Sequence, residues 1–168
     1  EVSLAILRER NKSYAISDKV KVYRIKSGRF KILSRIANLR RAIKDSGAGT
    51  LIPFLPLISL YTIIAATGLG RKYIMSERGD PNISIFAKNF SMKDRVGVLL
   101  MRRLQLYRVA HRMVFQTTDA RDYYCRSIRE KSVMIPNPLD CSRLPVCCEG
   151  ERGKQIIAAG RFSEEKNF

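Results

Sequence analysis

The sequence predicts an α/β domain built on a parallel sheet with helices on both faces, and three observations carry that prediction. Short apolar runs alternate with amphipathic stretches along most of the chain. The apolar runs are nearly continuous instead of alternating with polar residues, as strands buried on both faces require. Hydrophobic residues make up 45% of the 168, with a mean hydropathy of −0.18, which suits a globular domain and is too apolar for a disordered chain.

Taken in order, 2–7 and 20–25 read as strands. Residues 30–44 place Ile32, Ile36, Leu39 and Ile43 on one stripe with basic residues opposite, which predicts a surface helix. Residues 48–54 and 72–75 are strands on either side of a helix over 57–67. Residues 92–111 predict a long amphipathic helix, with Val96, Leu99, Leu100, Leu104 and Tyr107 turned inward. A strand over 113–116 follows, then a helix over 119–127 that the Thr118 hydroxyl can cap, then a strand over 133–135. Residues 136–153 carry three of the prolines (Pro136, Pro138, Pro145) and mixed charge, a composition that cannot pack a core. An interdomain linker is therefore expected at 141–153, between a first domain over 1–140 and the start of a second over 154–168. Residues 155–159 are its first strand. The chain opens on Glu1 and closes on Phe168, where a helix is expected to begin, so it reads as a piece of a longer sequence.

The formal charge is +17 with a pI near 10.2, and residues 1–44 hold much of the excess. A field of that sign attracts phosphates, nucleic acid and anionic lipid head groups without choosing among them. Cys125, Cys141, Cys147 and Cys148 are too few and too clustered for a disulfide framework, and no second Cys-x-x-Cys or His pair completes a zinc site. They read as reduced thiols of a cytoplasmic protein. Asn11, Asn82 and Asn89 head Asn-x-Ser sequons, which matter only in a secreted chain; no signal-peptide pattern is present. Residues 51–70 are nearly uncharged and about long enough to span a bilayer. Pro53 and Pro56 interrupt that stretch and its Ser, Thr and Gly residues dilute it, so strand, turn and buried helix describe it better. His111, at the end of the expected long helix, is assigned to packing.

Ligands of open parallel sheets bind beyond the carboxyl ends of the strands. Three loops of that kind stand out: 75–82, 135–140 and 159–167. In the third, Gly160 lets the backbone turn sharply, Ser163 can cap a helix, and Glu164 and Glu165 suit its first turn. Arg161 and Lys166 lie on either side of that turn, where a forked guanidinium and an ammonium suit a diphosphate.

Together these loops resemble the family 4 glycosyltransferases of the two-domain GT-B architecture. Ser76-Glu77-Arg78-Gly79-Asp80-Pro81 is similar to the segment that ends a strand of that family's acceptor domain. The run from Val133 to Asp140 resembles the segment that closes the same domain, and Gly160 to Asn167 the one that opens the donor domain. Met113 to Thr117 is similar to the family's strand before the last acceptor-domain helix. The order and spacing hold along almost the whole chain.

The resemblance implies most of a Rossmann-like N-terminal acceptor domain, lacking its first strand, plus the first strand and helix start of the donor domain. It implies transfer of a sugar from a nucleoside diphosphate sugar to a lipid-linked or polysaccharide acceptor, with retention of configuration and without a cofactor or bound metal. Gly160, Arg161 and Lys166 would bind the donor diphosphate, Ser76, Glu77 and Arg78 would line the acceptor side of the cleft, and Asn137 and Pro138 would form the hinge. The catalytic residues are left unassigned. The family's Gly-rich loop and its paired acidic residues have no counterpart here, so this chain alone is expected to be inactive.

Two other readings stand beside it: a basic nucleic-acid-binding module, and a non-catalytic acceptor-domain remnant that pairs with a separate donor domain. The basic faces of 30–44 and 92–111 add an expectation of peripheral contact with the anionic inner leaflet of the plasma membrane.

Overall fold

The computed structural model describes residues 1–7, 15–26, 28, 30–78 and 92–138. The chain divides into two units, Glu1–Asn137 and Pro138–Phe168. The linker and the donor-side strand and helix start expected over 141–168 lie outside the described residues, as do the three sequons and every cysteine but Cys125.

The first unit is a small α/β domain of parallel sheets flanked by helices. Its elements are β1 (Ser3–Ile6), β2 (Lys21–Arg24), α1 (Lys31–Asp45), β3 (Thr50–Leu51), α2 (Pro56–Ala66), β4 (Lys72–Ser76), α3 (Met92–Arg103), β5 (Arg112–Phe115), α4 (Thr118–Asp122), α5 (Arg126–Arg129) and β6 (Ser132–Met134). All pairings between named strands are parallel: β1 lies beside β2, and a second sheet runs β3-β4-β5-β6. In the second sheet each strand lies beside its sequence neighbour, so every C-terminal end opens on the same edge.

Helix α2 is the wall shared by two apolar cores. Leu60 packs with Met75, Met101, Tyr107, Met113, Phe115 and Tyr124 in one. Its chain neighbour Tyr61, with Ala65 and Ala66, packs with Ile25, Leu39, Ala42 and Ile43 in the other. A helix apolar nearly all round is stable only when covered on more than one side, and α2 is covered by α1 and α3. Pro56 starts it at a position where no amide hydrogen is needed. At its other end the Arg40 guanidinium, from α1, donates to the carbonyls of Ala65 and Thr67, both at 2.8 Å. That cation satisfies carbonyls the helix leaves over and suits the negative end of its dipole. The stretch 51–70, long enough by count to span a bilayer, is thus β3, a turn and an 11-residue helix. Among the described residues no helix is long and apolar enough to cross a membrane.

Three expectations are corrected. The long helix over 92–111 ends at Arg103; Gln105 takes a left-handed conformation (φ 49°) and residues 106–109 form a tighter 3₁₀ turn. Its buried side is Gly97, Val98 and Met101, whereas Val96, Leu99, Leu100 and Leu104 are exposed; of the residues expected inward, Tyr107 alone is buried. The reason is the close approach of α2: a Cβ on Gly97 would stand 3.0 Å from the Leu57 Cα, so the small residue has to face the neighbouring helix. In α1 the stripe holds at Leu39 and Ile43, while Ile32 is exposed. The cap of α4 is Thr117, whose side chain accepts from the Ala120 amide at 3.2 Å, and a break at Tyr123–Cys125 separates α4 from α5. Thr118 is already the first helical residue, since extended backbone at Thr117 is what a cap requires.

Gly97 yields a test of the α2–α3 contact. Gly97→Val should lower stability by about 2 kcal/mol or more, because backbone on the facing helix must move. Gly97→Ala should cost less, since alanine returns up to about 1 kcal/mol of helix propensity. Urea unfolding of the two variants against the parent chain measures both.

Candidate functional site

The C-terminal ends of β4, β5 and β6 bring together the loops that the sequence singled out. Ser76 closes β4 opposite Val114 of β5, and its amide donates to the Pro53 carbonyl at 3.3 Å. Phe54 forms an isolated parallel bridge with Ser76, which extends the β3–β4 pairing to the strand end. Glu77 continues the edge, its amide donating to the Val114 carbonyl at 3.0 Å. Past β6, the Ile135 amide donates to the Phe115 carbonyl at 2.9 Å, which aims Pro136 and Asn137 at the same rim.

Consecutive residues after β4 point to opposite environments. Glu77 is buried, and its Oε2 accepts from the Tyr107 hydroxyl at 3.0 Å and the Tyr124 hydroxyl at 3.1 Å. The two rings meet edge to face with centroids 5.3 Å apart. A buried carboxylate needs such donors, because an unpaired charge in a low-dielectric interior costs several kcal/mol. Burial, and then the Glu77 charge, push both phenols well above their usual range.

Arg78, by contrast, is exposed. Its Nε donates to the Ser76 hydroxyl at 3.1 Å, its Nη1 donates to Asn137 Oδ1 at 2.7 Å, and its guanidinium lies 5.2 Å from the centre of the Phe54 ring. Gln116 Nε2 donates to the same Asn137 oxygen. The guanidinium is therefore oriented by three groups from three segments, a preorganised cation at the rim of a parallel sheet. Beside it, Leu55 holds φ 73° and ψ 147°, a region that side-chain-bearing residues avoid, directly before Pro56. Strain of this kind clusters at ligand sites.

Four of the sequence-selected residues thus share one rim: Ser76, Glu77, Arg78 and Asn137. Glu77 turns inward and supports the rim from below. Pro138 is exposed and is the first residue of the second unit. Gly160, Arg161 and Lys166 lie outside the described residues. Sequence reasoning missed Phe54 and Gln116, although both sit just past a strand end, which was signal enough. It also missed Tyr107 and Tyr124 as partners of Glu77, and nothing local marks them. His111 lies at the opposite edge of the sheet, exposed, where its Nδ1 accepts from the Tyr73 amide at 3.3 Å. Among the described residues no group of three or more His, Cys, Asp or Glu side chains converges on a point.

No protein-family model matches the chain, and no curated protein matches it.

The Glu77 pair predicts how stability depends on pH. Both tyrosines ionise near 10 when unfolded and well above that when folded. The unfolded chain therefore loses protons first as the pH climbs. Stability is full below pH 10 and should fall above it, by up to about 1.4 kcal/mol per pH unit for each tyrosine. Tyr107→Phe should make that fall shallower in urea titrations repeated between pH 8 and 11. Glu77→Ala, which strands two buried hydroxyls, should cost roughly 2–4 kcal/mol at neutral pH.

Proposed function

We propose that this chain is the acceptor-side portion of a GT-B enzyme that transfers a sugar from a nucleoside diphosphate sugar to a glycan or lipid-linked acceptor, with retention of configuration. The observation that carries the reading is the hydrogen bond from Arg78 Nη1 to Asn137 Oδ1 at 2.7 Å. It joins two of the three loops on which the resemblance rests, 59 residues apart in sequence, at the edge of a parallel sheet where ligands of such folds bind. A guanidinium stacked on an aromatic ring and fixed by neutral partners keeps its charge available to an anionic or polyhydroxylated acceptor.

In this reading Arg78 and Ser76 contact the acceptor, with Glu77 as the buried brace that fixes the strand end. Arg161 and Lys166, with the backbone at Gly160, hold the donor diphosphate and stabilise the charge that grows on it as the sugar departs. Asn137 and Pro138 sit where the two domains hinge. The chemistry as proposed uses no metal.

Calorimetric titration with UDP and GDP tests the donor half of the proposal. Weak binding is expected, reduced about tenfold or more by Arg161→Ala and likewise by Lys166→Ala, as loss of a charge-assisted contact implies. Incubation of the chain with nucleoside diphosphate sugars and glycan acceptors should yield no transfer. Diphosphate binding indifferent to both substitutions would sink the assignment of these residues. Tight binding to duplex DNA at physiological salt, with no response to nucleotides, would favour the nucleic-acid reading that the +17 charge also permits.

A further inference from the structure

The rim that carries Arg78 is poor in charge. Across the four segments that form it, 52–56, 76–78, 116–118 and 135–138, Glu77 and Arg78 are the only charged residues. Glu77 is buried and accepts from two tyrosine hydroxyls. Arg78 is the exposed one, and among the described residues no carboxylate pairs with it. Its partners are the Ser76 hydroxyl, the Asn137 side-chain oxygen and the ring of Phe54, all neutral. Elsewhere guanidinium groups are compensated: Arg121 pairs with Asp122 at 2.9 Å and Arg126 with Glu130 at 2.7 Å.

At Arg78, then, the group is oriented without its charge being cancelled. Nε is spent on Ser76 and one Nη1 hydrogen on Asn137. Among the described residues the other Nη1 hydrogen and both on Nη2 stay unused, enough for both oxygens of a carboxylate. Around this cation the surface is apolar and neutral. Phe54, Leu55 and Ile135 are 46%, 54% and 52% exposed, and Gln116 and Asn137 supply amide groups. A pyranose ring has the complementary mixture, with C–H bonds across one face that suit an aromatic ring and hydroxyls around its edge that suit amides. A sugar whose edge also bears a carboxylate, a hexuronic acid, answers all three features at once.

Phosphate answers them less well. A phosphate monoester carries about −1.5 to −2 at pH 7, and the rim offers one full cation. The start of α2, two residues past Phe54, adds about half a charge at most, and Pro56 stands there in place of one amide. A monoanion is what a single guanidinium neutralises.

We infer that Arg78 selects a carboxylate: the acceptor presents a hexuronic acid whose carboxylate pairs with the Arg78 guanidinium and whose ring packs on Phe54. This rests on the sugar-transfer reading, to which it adds the chemical class of the acceptor.

NMR titration of the isotope-labelled full chain at physiological salt decides it, with methyl glucuronide, methyl glucoside and glucose 6-phosphate as probes. Methyl glucuronide should shift the Arg78 Nε resonance and bind about tenfold or more tighter than methyl glucoside, the worth of a charge-assisted pair. That preference should vanish in Arg78→Gln and shrink in Arg78→Lys, which keeps the charge but not the fork. It should survive Arg121→Gln, which removes the same charge away from the rim. Phe54→Ala should weaken both glycosides. The Arg78 resonance of the parent chain decides the matter even if a variant fails to fold. Equal affinity for the two glycosides overturns the inference. A preference that outlasts Arg78→Gln does so too, by assigning it to the general field of a +17 chain. Tighter binding of glucose 6-phosphate through Arg78 also overturns it, by making phosphate the ligand. Methyl glucoside bound through Phe54 with no gain for the glucuronide would sink this inference and leave the transfer reading in place. Nucleotide binding indifferent to Arg161 and Lys166, with the glucuronide preference intact, would sink the donor assignment and leave the carboxylate site standing.

Discussion

Helix α2 has to be buried on two sides at once, and the arrangement of the first unit follows from that. Leu60 and Tyr61 are adjacent in sequence yet serve different cores, so α1 and α3 must both close on the same helix. Neither contact is available to an average pair of helices. On one side the Arg40 guanidinium reaches across from α1 to the carbonyls at the end of α2. On the other, Gly97 removes the side chain that would otherwise hold α3 off. An apolar helix without these two accommodations would leave hydrophobic surface in water, at roughly 25 cal/mol for each Å².

The same packing fixes the rim of the β3–β6 sheet. β4 is pinned by Met75 in the core and by the Glu77 carboxylate, which receives hydroxyls from the 3₁₀ turn and from the segment between α4 and α5. With Glu77 drawn inward, the alternation of the chain sends Arg78 outward, where Phe54, Ser76 and Asn137 orient it. The buried carboxylate and the exposed guanidinium are two halves of one device: the first holds the strand end still and the second presents charge there. Leu55, at φ 73°, is held on the same rim by a proline on its C-terminal side and by the Phe54 bridge on its N-terminal side.

Much of this was legible in the residues. The runs that became β1, β2, β4, β5 and β6 are compact and β-rich, and each was located to within a residue or two. Helices α1 and α2 were equally plain, because Leu39 and Ile43 keep the helical period and Pro56 marks a start. The face of α3 was misread for a physical reason. Periodicity counts large apolar residues, and Val96, Leu99, Leu100 and Leu104 form the more conspicuous stripe. A glycine scores as nothing in that count, yet its lack of a side chain is what allows close helix packing. The rim was half visible: strand ends advertise themselves in sequence, but hydrogen bonds between residues as far apart as Arg78 and Asn137 do not.

Composition and local pattern alone determined that this is a strongly basic α/β chain, the order of its strands, and where those strands end. Those properties depend on residues within a few positions of one another, or on totals. Only the tertiary structure decided which side of α3 faces water, that Glu77 is a buried brace, and that Arg78, Asn137, Gln116 and Phe54 meet. Each is a competition between distant segments for the same space, settled by whether a side chain fits against a neighbour that the local sequence does not name.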